Sequence, residues 1–171
     1  MSSGEVIGHR IDSYLTASGL YKMANRSQSE INWPHVLEPL SGYLWLGAQL
    51  ASDKQKKLFL PLDSAFNFGP ALSSNRTVAD LVKEALKSWP GEWEETSDPK
   101  ALHEAKFLNL ATGKAFHLLQ WQPVWGFEES VASTISWYRE HFYNSLDACN
   151  LTYKQISQYT TSAKSQGLPW V

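Results

Sequence analysis

From His35 onward, apolar residues recur at helical spacing. Val36, Leu37, Leu40, Tyr43, Leu44, Gly47, Ala48 and Ala51 predict a helix with one buried stripe. Pro39 falls in its first turn, where a missing N–H costs little. The run DKQKK that follows can only be surface, and LFLPLDSAFNFG reads as an approach to a buried strand ending at Gly69, stopped by Pro70. Upstream of Trp33 the texture differs: residues 1–32 are polar and serine-rich, with a short helix predicted around Tyr14 to Ala24.

Thr77 opens the next helix as N-cap, with Asp80 in the capping position, and Val78, Leu81, Val82, Ala85, Leu86 and Trp89 form its inner face until Pro90 and Gly91 end it. Glu104 to Leu110 alternates as a strand does, and Thr112 caps a short helix burying Ala115, Leu118 and Leu119. After a turn at Gln122 and Pro123, the positions Phe127, Val131, Ile135, Tyr138 and Phe142 stripe a long helix. Thr152 with Gln155 predicts the capping box of a last helix running through Tyr159. The order is helix, strand, helix, strand, then three helices. It predicts an α/β (α+β) lobe, mostly helical with few strands and without a complete Rossmann domain.

At 171 residues and 43% hydrophobic content the chain can build one real core. A formal net charge of -2 argues against nucleic acid or an anionic membrane as a general partner. Cys149 is the only cysteine, so an internal disulfide and a multi-cysteine zinc site are excluded. The first residues lack the apolar core of a signal peptide and no apolar run is long enough to span a bilayer, so a cytoplasmic location is expected.

The motifs of several enzyme classes are missing. A nicotinamide cofactor needs closely spaced glycines between a strand and a helix. Gly4 with Gly8 are too few, and Gly42 with Gly47 lie inside a predicted helix. No tyrosine is followed four residues on by lysine, and Gly-x-Ser-x-Gly, a P-loop and His-Glu-x-x-His are absent.

The candidates that remain each have two readings. His35 and Glu38 stand a helical turn apart at a helix start, either as a ligand-facing mouth or with Glu38 complementing the helix dipole. His103, Glu104 and Lys106 cluster before a strand, where they could meet a phosphate or sugar hydroxyls or simply be solvated. Asn67, within Phe66-Asn67-Phe68-Gly69, is expected as a buried amide that reads a ligand or pins a turn. Trp89, Trp93, Trp121 and Trp125 flank turns, and Arg76 precedes a cap; core packing and plain exposure compete there with sugar stacking and anion binding.

The segments WPHVLEPLSGYLWLGAQLAS, AFNFGP, TVADLVKEALKSWPGEW, HEAKFLNLATGKAFHLLQWQP and FEESVASTISWYREHF carry a resemblance. In this order, from about Trp33 onward, they look like the C-terminal, substrate-binding half of CDP-glucose 4,6-dehydratases, which are extended short-chain dehydrogenases/reductases. HVLEPLSGYL with HEAKFLNL distinguishes that branch from the epimerases, and GEVIG at Gly4 to Gly8 faintly resembles the end of the family's dinucleotide-binding half. The resemblance implies a lyase that uses NAD to oxidise a nucleotide sugar at C4, eliminates water across C5 and C6 and returns the hydride to C6. It places the cofactor loop and the Tyr-Lys pair in the other half.

For this chain the resemblance implies no cofactor of its own and a CDP-sugar as ligand, met around His35, Asn67 and the stretch His103 to Leu110. It also implies either a homo-oligomer or a separate Rossmann-type subunit as partner. Two positions depart from the pattern. Ile31-Asn32-Trp33 stands where the family has Arg-Pro-Trp, which removes a cation that could meet the diphosphate, and Ala111-Thr112-Gly113-Lys114-Ala115 replaces an acidic-then-Ser-Lys-Ala stretch. The expected organisation is a divergent polar segment, 1–32, followed by the substrate-binding lobe, 33–171. The expected role is a truncated or separately encoded nucleotide-sugar lobe without dehydratase activity by itself. A remodelled self-association or protein-interaction domain is the alternative, and an independent enzyme using His35 and Glu38 or His103 and Glu104 is a third.

Overall fold

A computed structural model describes residues 13–15, 20–23, 30–52, 62–95 and 107–171. Three short strands, β1 (Ser13–Leu15), β2 (Leu20–Met23) and β3 (Glu30–Asn32), precede helix α1 (Leu37–Ala51). A single 3-10 turn leads into β4 (Asn75–Thr77), α2 (Val78–Ser88), β5 (Glu92–Glu95) and β6 (Phe107–Leu108). Helices α3 (Gly113–Leu119), α4 (Phe127–Phe142) and α5 (Ala148–Ser165) complete the order.

The strands form two small sheets. β2 pairs antiparallel with β1 and parallel with β5; β3 pairs antiparallel with β4 and parallel with β6. The α+β class is therefore as the sequence predicts, mostly helical with few strands, and the described residues contain no complete Rossmann sheet. No helix among them is long and apolar enough to cross a membrane.

Two of the expected elements change type. The helix predicted around Tyr14 to Ala24 is replaced by β1 and β2, because this stretch has no amphipathic period to hold a helix and its edges find strand partners. The strand predicted to end at Gly69 is irregular chain from Leu62 to Pro70; its residues 58–61 lie outside the described residues. Leu62 and Phe68 are nevertheless buried, packing with Ala115, Leu119 and Trp121 under α1 and α3. Burial was legible there, but ladder pairing was not.

The face of α1 is the largest correction. The predicted inward stripe is outward: Val36, Leu40, Tyr43 and Leu44 are all exposed, and the buried positions are Glu38, Ser41 and Gly42. Two facts explain the inversion. Glu38 and Ser41 have every incentive to be inside because their polar atoms are paired there. Gly42 lets the Phe68 ring lie directly on the helix backbone; a Cβ at this position would run into the ring.

The other helices follow their patterns more closely. Thr77 and Asp80 form the full capping box of α2, each side chain bonded to the other residue's backbone N–H, at 3.1 Å and 3.2 Å. Val78, Val82 and Ala85 are buried, the last against Phe127 and Val131 of α4. On α4 the stripe is inward at Phe127 and Val131 but ends exposed at Phe142. Thr112 does occupy the cap position of α3, without a side-chain cap bond. For α5 the predicted box at Thr152 and Gln155 is wrong: Asp147 caps the helix by accepting the Asn150 N–H at 2.9 Å. Thr152 and Gln155 lie inside α5 and tie it to α4 instead. The Trp137 indole N–H donates to Thr152 Oγ1 at 3.2 Å, and Gln155 Nε2 donates to Ser133 O at 2.6 Å.

Candidate functional site

The chain leaves β3, passes Trp33 and Pro34, and turns into α1 at His35, directly opposite the seam between α4 and α5. A groove of about 470 Å³ opens there. Its walls are Pro34, His35, Val36 and Leu37 from the entry to α1, Thr134, Trp137 and Tyr138 from α4, and Thr152 and Gln155 from α5. No lysine, arginine, aspartate or glutamate is among these residues.

His35 is the one imidazole among the described residues of the groove and is buried. Its Nδ1 accepts the Leu37 N–H at 3.3 Å, which leaves the ring proton on Nε2. The ring meets Trp125 edge-on at 4.9 Å between centroids. Burial depresses its pKa from 6.5 to about 4, so the ring is neutral at pH 7. A neutral donor, an amide, three hydroxyls and the two aromatic side chains of α4 can hold a flat uncharged group. They offer nothing to balance a phosphate.

Behind His35 lies a polar cluster closed to solvent. Glu38 is 0% exposed. Its carboxylate accepts the Val124 N–H (3.1 and 3.0 Å to the two oxygens), the Trp125 N–H (2.8 Å) and the Tyr159 hydroxyl (2.7 Å). Ser41 Oγ, 3.1 Å from the Tyr159 oxygen, accepts the Trp121 indole N–H at 3.0 Å and donates to the Glu38 carbonyl at 2.8 Å. Burial pushes the Glu38 carboxyl above the usual range, while the two amides and the Tyr159 hydroxyl hold it down. Burial, and then the adjacent Glu38, push the Tyr159 hydroxyl up in turn. The cluster fastens α1 to the Trp121–Trp125 turn and to α5. Glu38 stands in the first turn of α1, as its dipole reading expects, and its carboxylate faces this cluster and not the groove.

Of the remaining sequence candidates, those among the described residues do not line this groove. Asn67 is exposed, not buried, and donates to Ala111 O at 3.4 Å. Lys114 lies beside it, with Nζ over the Phe66 ring at 4.4 Å and bonded to Ser64 Oγ and Ala65 O. His103, Glu104 and Lys106 lie outside the described residues. Arg76 is held by the carbonyls of Ser73 and Asn75, faces Glu128 at 3.6 Å and covers the Phe127 ring. Trp121 and Trp125 are core, Trp93 packs beside Val78 and Val82, and Trp89 meets Tyr143 edge-on. Among the described residues no three His, Cys, Asp or Glu side chains gather to hold a metal ion.

Sequence reasoning missed Trp137, Gln155, Ser41 and Tyr159. Trp137 falls just off the α4 stripe, and the spacing of Gln155 from Thr152 reads as a capping box. Ser41 and Tyr159 carry no local signal; only the distant Glu38 gives them meaning.

No family model matches the chain. Over 131 residues it is 30% identical to the CDP-glucose 4,6-dehydratase of Salmonella typhimurium, a match covering 76% of this chain and 35% of that protein. The chain spans about a third of the length of the curated relative it matches, and at that level it is a distant, dehydratase-like relative.

Proposed function

We propose that this chain is a nucleotide-sugar-binding lobe related to CDP-glucose 4,6-dehydratase that does not carry out the dehydration by itself. The observation that carries this reading is the 30% identity over 131 residues. These 171 residues hold no glycine loop for a dinucleotide and no Tyr-x-x-x-Lys pair, so they do not fit NAD. Oxidation and elimination would fall to a separate Rossmann-type subunit. The groove beside His35 suits the uncharged end of such a ligand, base or sugar, between Trp137 and Gln155.

Titration calorimetry of the chain with CDP-glucose, CDP and unrelated nucleotides tests this. Heat is expected with CDP-glucose and is expected to weaken in Gln155→Leu. Silence with every nucleotide at millimolar concentration removes the reading.

A second reading is favoured by a different observation. The apolar face of α1 is open to solvent, which suits a non-catalytic association domain.

A further inference from the structure

The open face of α1 has a shape as well as a polarity. Val36, Leu40, Tyr43, Leu44 and Leu50 are exposed, Leu44 by 77%, and with Gly47 and Ala51 they fall in a sector of about 120° on a helix some 22 Å long. Glu38 is the only Asp, Glu, Lys, Arg or His of α1, and it points inward. The face is therefore uncharged from end to end. Within α1 itself nothing basic is offered to an anionic membrane surface, and no charge to a partner recognised by charge.

About one turn past its middle, at Gly47, the face carries no side chain. A Cβ built on Gly47 meets no atom within 4 Å. Leu40 stands two turns before this notch on the same face. An antiparallel two-fold pairing centred on Tyr43 and Leu44 sets Leu40 of each copy into the Gly47 notch of the other, and Val36 against Ala51. Large thus meets small twice, as an isologous contact requires, with no like charges across the axis. The five exposed side chains offer on the order of 500 Å² per copy, so the pair would bury about 1,000 Å², the threshold of a specific interface.

We infer that α1 pairs with α1 of a second copy of this chain across a two-fold axis near Leu44, with Leu40 seated on Gly47. The inference deepens the association reading; Val36, which also lines the groove, is the residue the two surfaces share, and the variants below leave it untouched.

Sedimentation of the full chain from low to several hundred micromolar tests it, in a Cys149→Ser background because Cys149 is exposed. A monomer-dimer equilibrium is expected. Leu44→Lys should raise the dimer dissociation constant at least about tenfold. Gly47→Leu is the sharper variant: it adds apolar surface, so non-specific stickiness would increase, whereas a filled notch should also weaken the dimer about tenfold or more. Both positions face solvent, and circular dichroism at the lowest concentration should show each variant folded. A monomer at every concentration overturns self-association altogether. A dimer indifferent to both substitutions leaves association standing but overturns the α1 interface, and tighter association of Gly47→Leu overturns the seated geometry.

Discussion

At the scale of single residues the molecule depends most on Glu38. A carboxylate with no cation beside it is usually a poor thing to bury, yet here two backbone N–H groups and a phenol need an acceptor in the same place. Glu38→Ala would strand all three and is expected to cost about 3 to 5 kcal/mol. Glu38→Gln should cost far less, since its carbonyl can take both amides while its NH₂ donates to the Tyr159 oxygen. Urea unfolding of the two variants compares them directly.

His35 makes stability depend on pH. Unfolded, it titrates near 6.5; folded, burial holds it near 4. Between those values the unfolded chain takes up a proton that the folded one refuses, so stability should fall as pH drops from about 6.5 to about 4 and then level off. A shift of this size corresponds to about 3 kcal/mol. Glu38 has the opposite sign: its raised folded pKa favours the folded state on acidification above 4.5 and offsets part of the loss. Unfolding curves at neutral and mildly acid pH should show a smaller fall in His35→Asn, which keeps an acceptor for the Leu37 N–H.

At the scale of elements, two glycines of one helix should respond in opposite directions. Gly42→Ala forces a methyl into the Phe68 ring and is expected to destabilise by about 1 to 3 kcal/mol. Gly47→Ala enters open space and should stabilise the monomer by about 0.5 to 1 kcal/mol through helix propensity. Thermal melts at low concentration distinguish them.

The same helix shows how far the sequence could be read. Its existence and near-terminal bounds follow from spacing, as do the α2 capping box and the inward start of α4. Its orientation does not, because hydrophobic period identifies an apolar face without saying whether anything covers it. The face that is buried was chosen by hydrogen bonds from Val124, Trp125 and Tyr159, which no window around Glu38 contains. The groove was unreadable for the same reason. His35 stood out as a candidate, but Trp137 and Gln155 join it only once α4 and α5 have docked.

At the scale of the whole molecule, the cores are stitched together by the last part of the chain. Tyr159, Ala163 and Leu168 complete the cluster around Trp125, and Trp170 reaches the clusters on both sides of α1. A chain stopped after Asn144 lacks all of these. It is expected to lose cooperative thermal unfolding, measured by calorimetry, and not merely to melt a few degrees lower.

The Glu38 cluster also has a consequence in time. Its partners lie 86, 87 and 121 residues downstream. A ribosome delivers α1 long before it delivers Tyr159, so the carboxylate must stay hydrated, and the helix unanchored, until Val124, Trp125 and Tyr159 have been made. The apolar side of α1 is displayed throughout that interval. Docking of Tyr159 then anchors the helix through its polar side and leaves the apolar side open, so anchoring and covering of α1 are separate events, the second falling to the pairing inferred above.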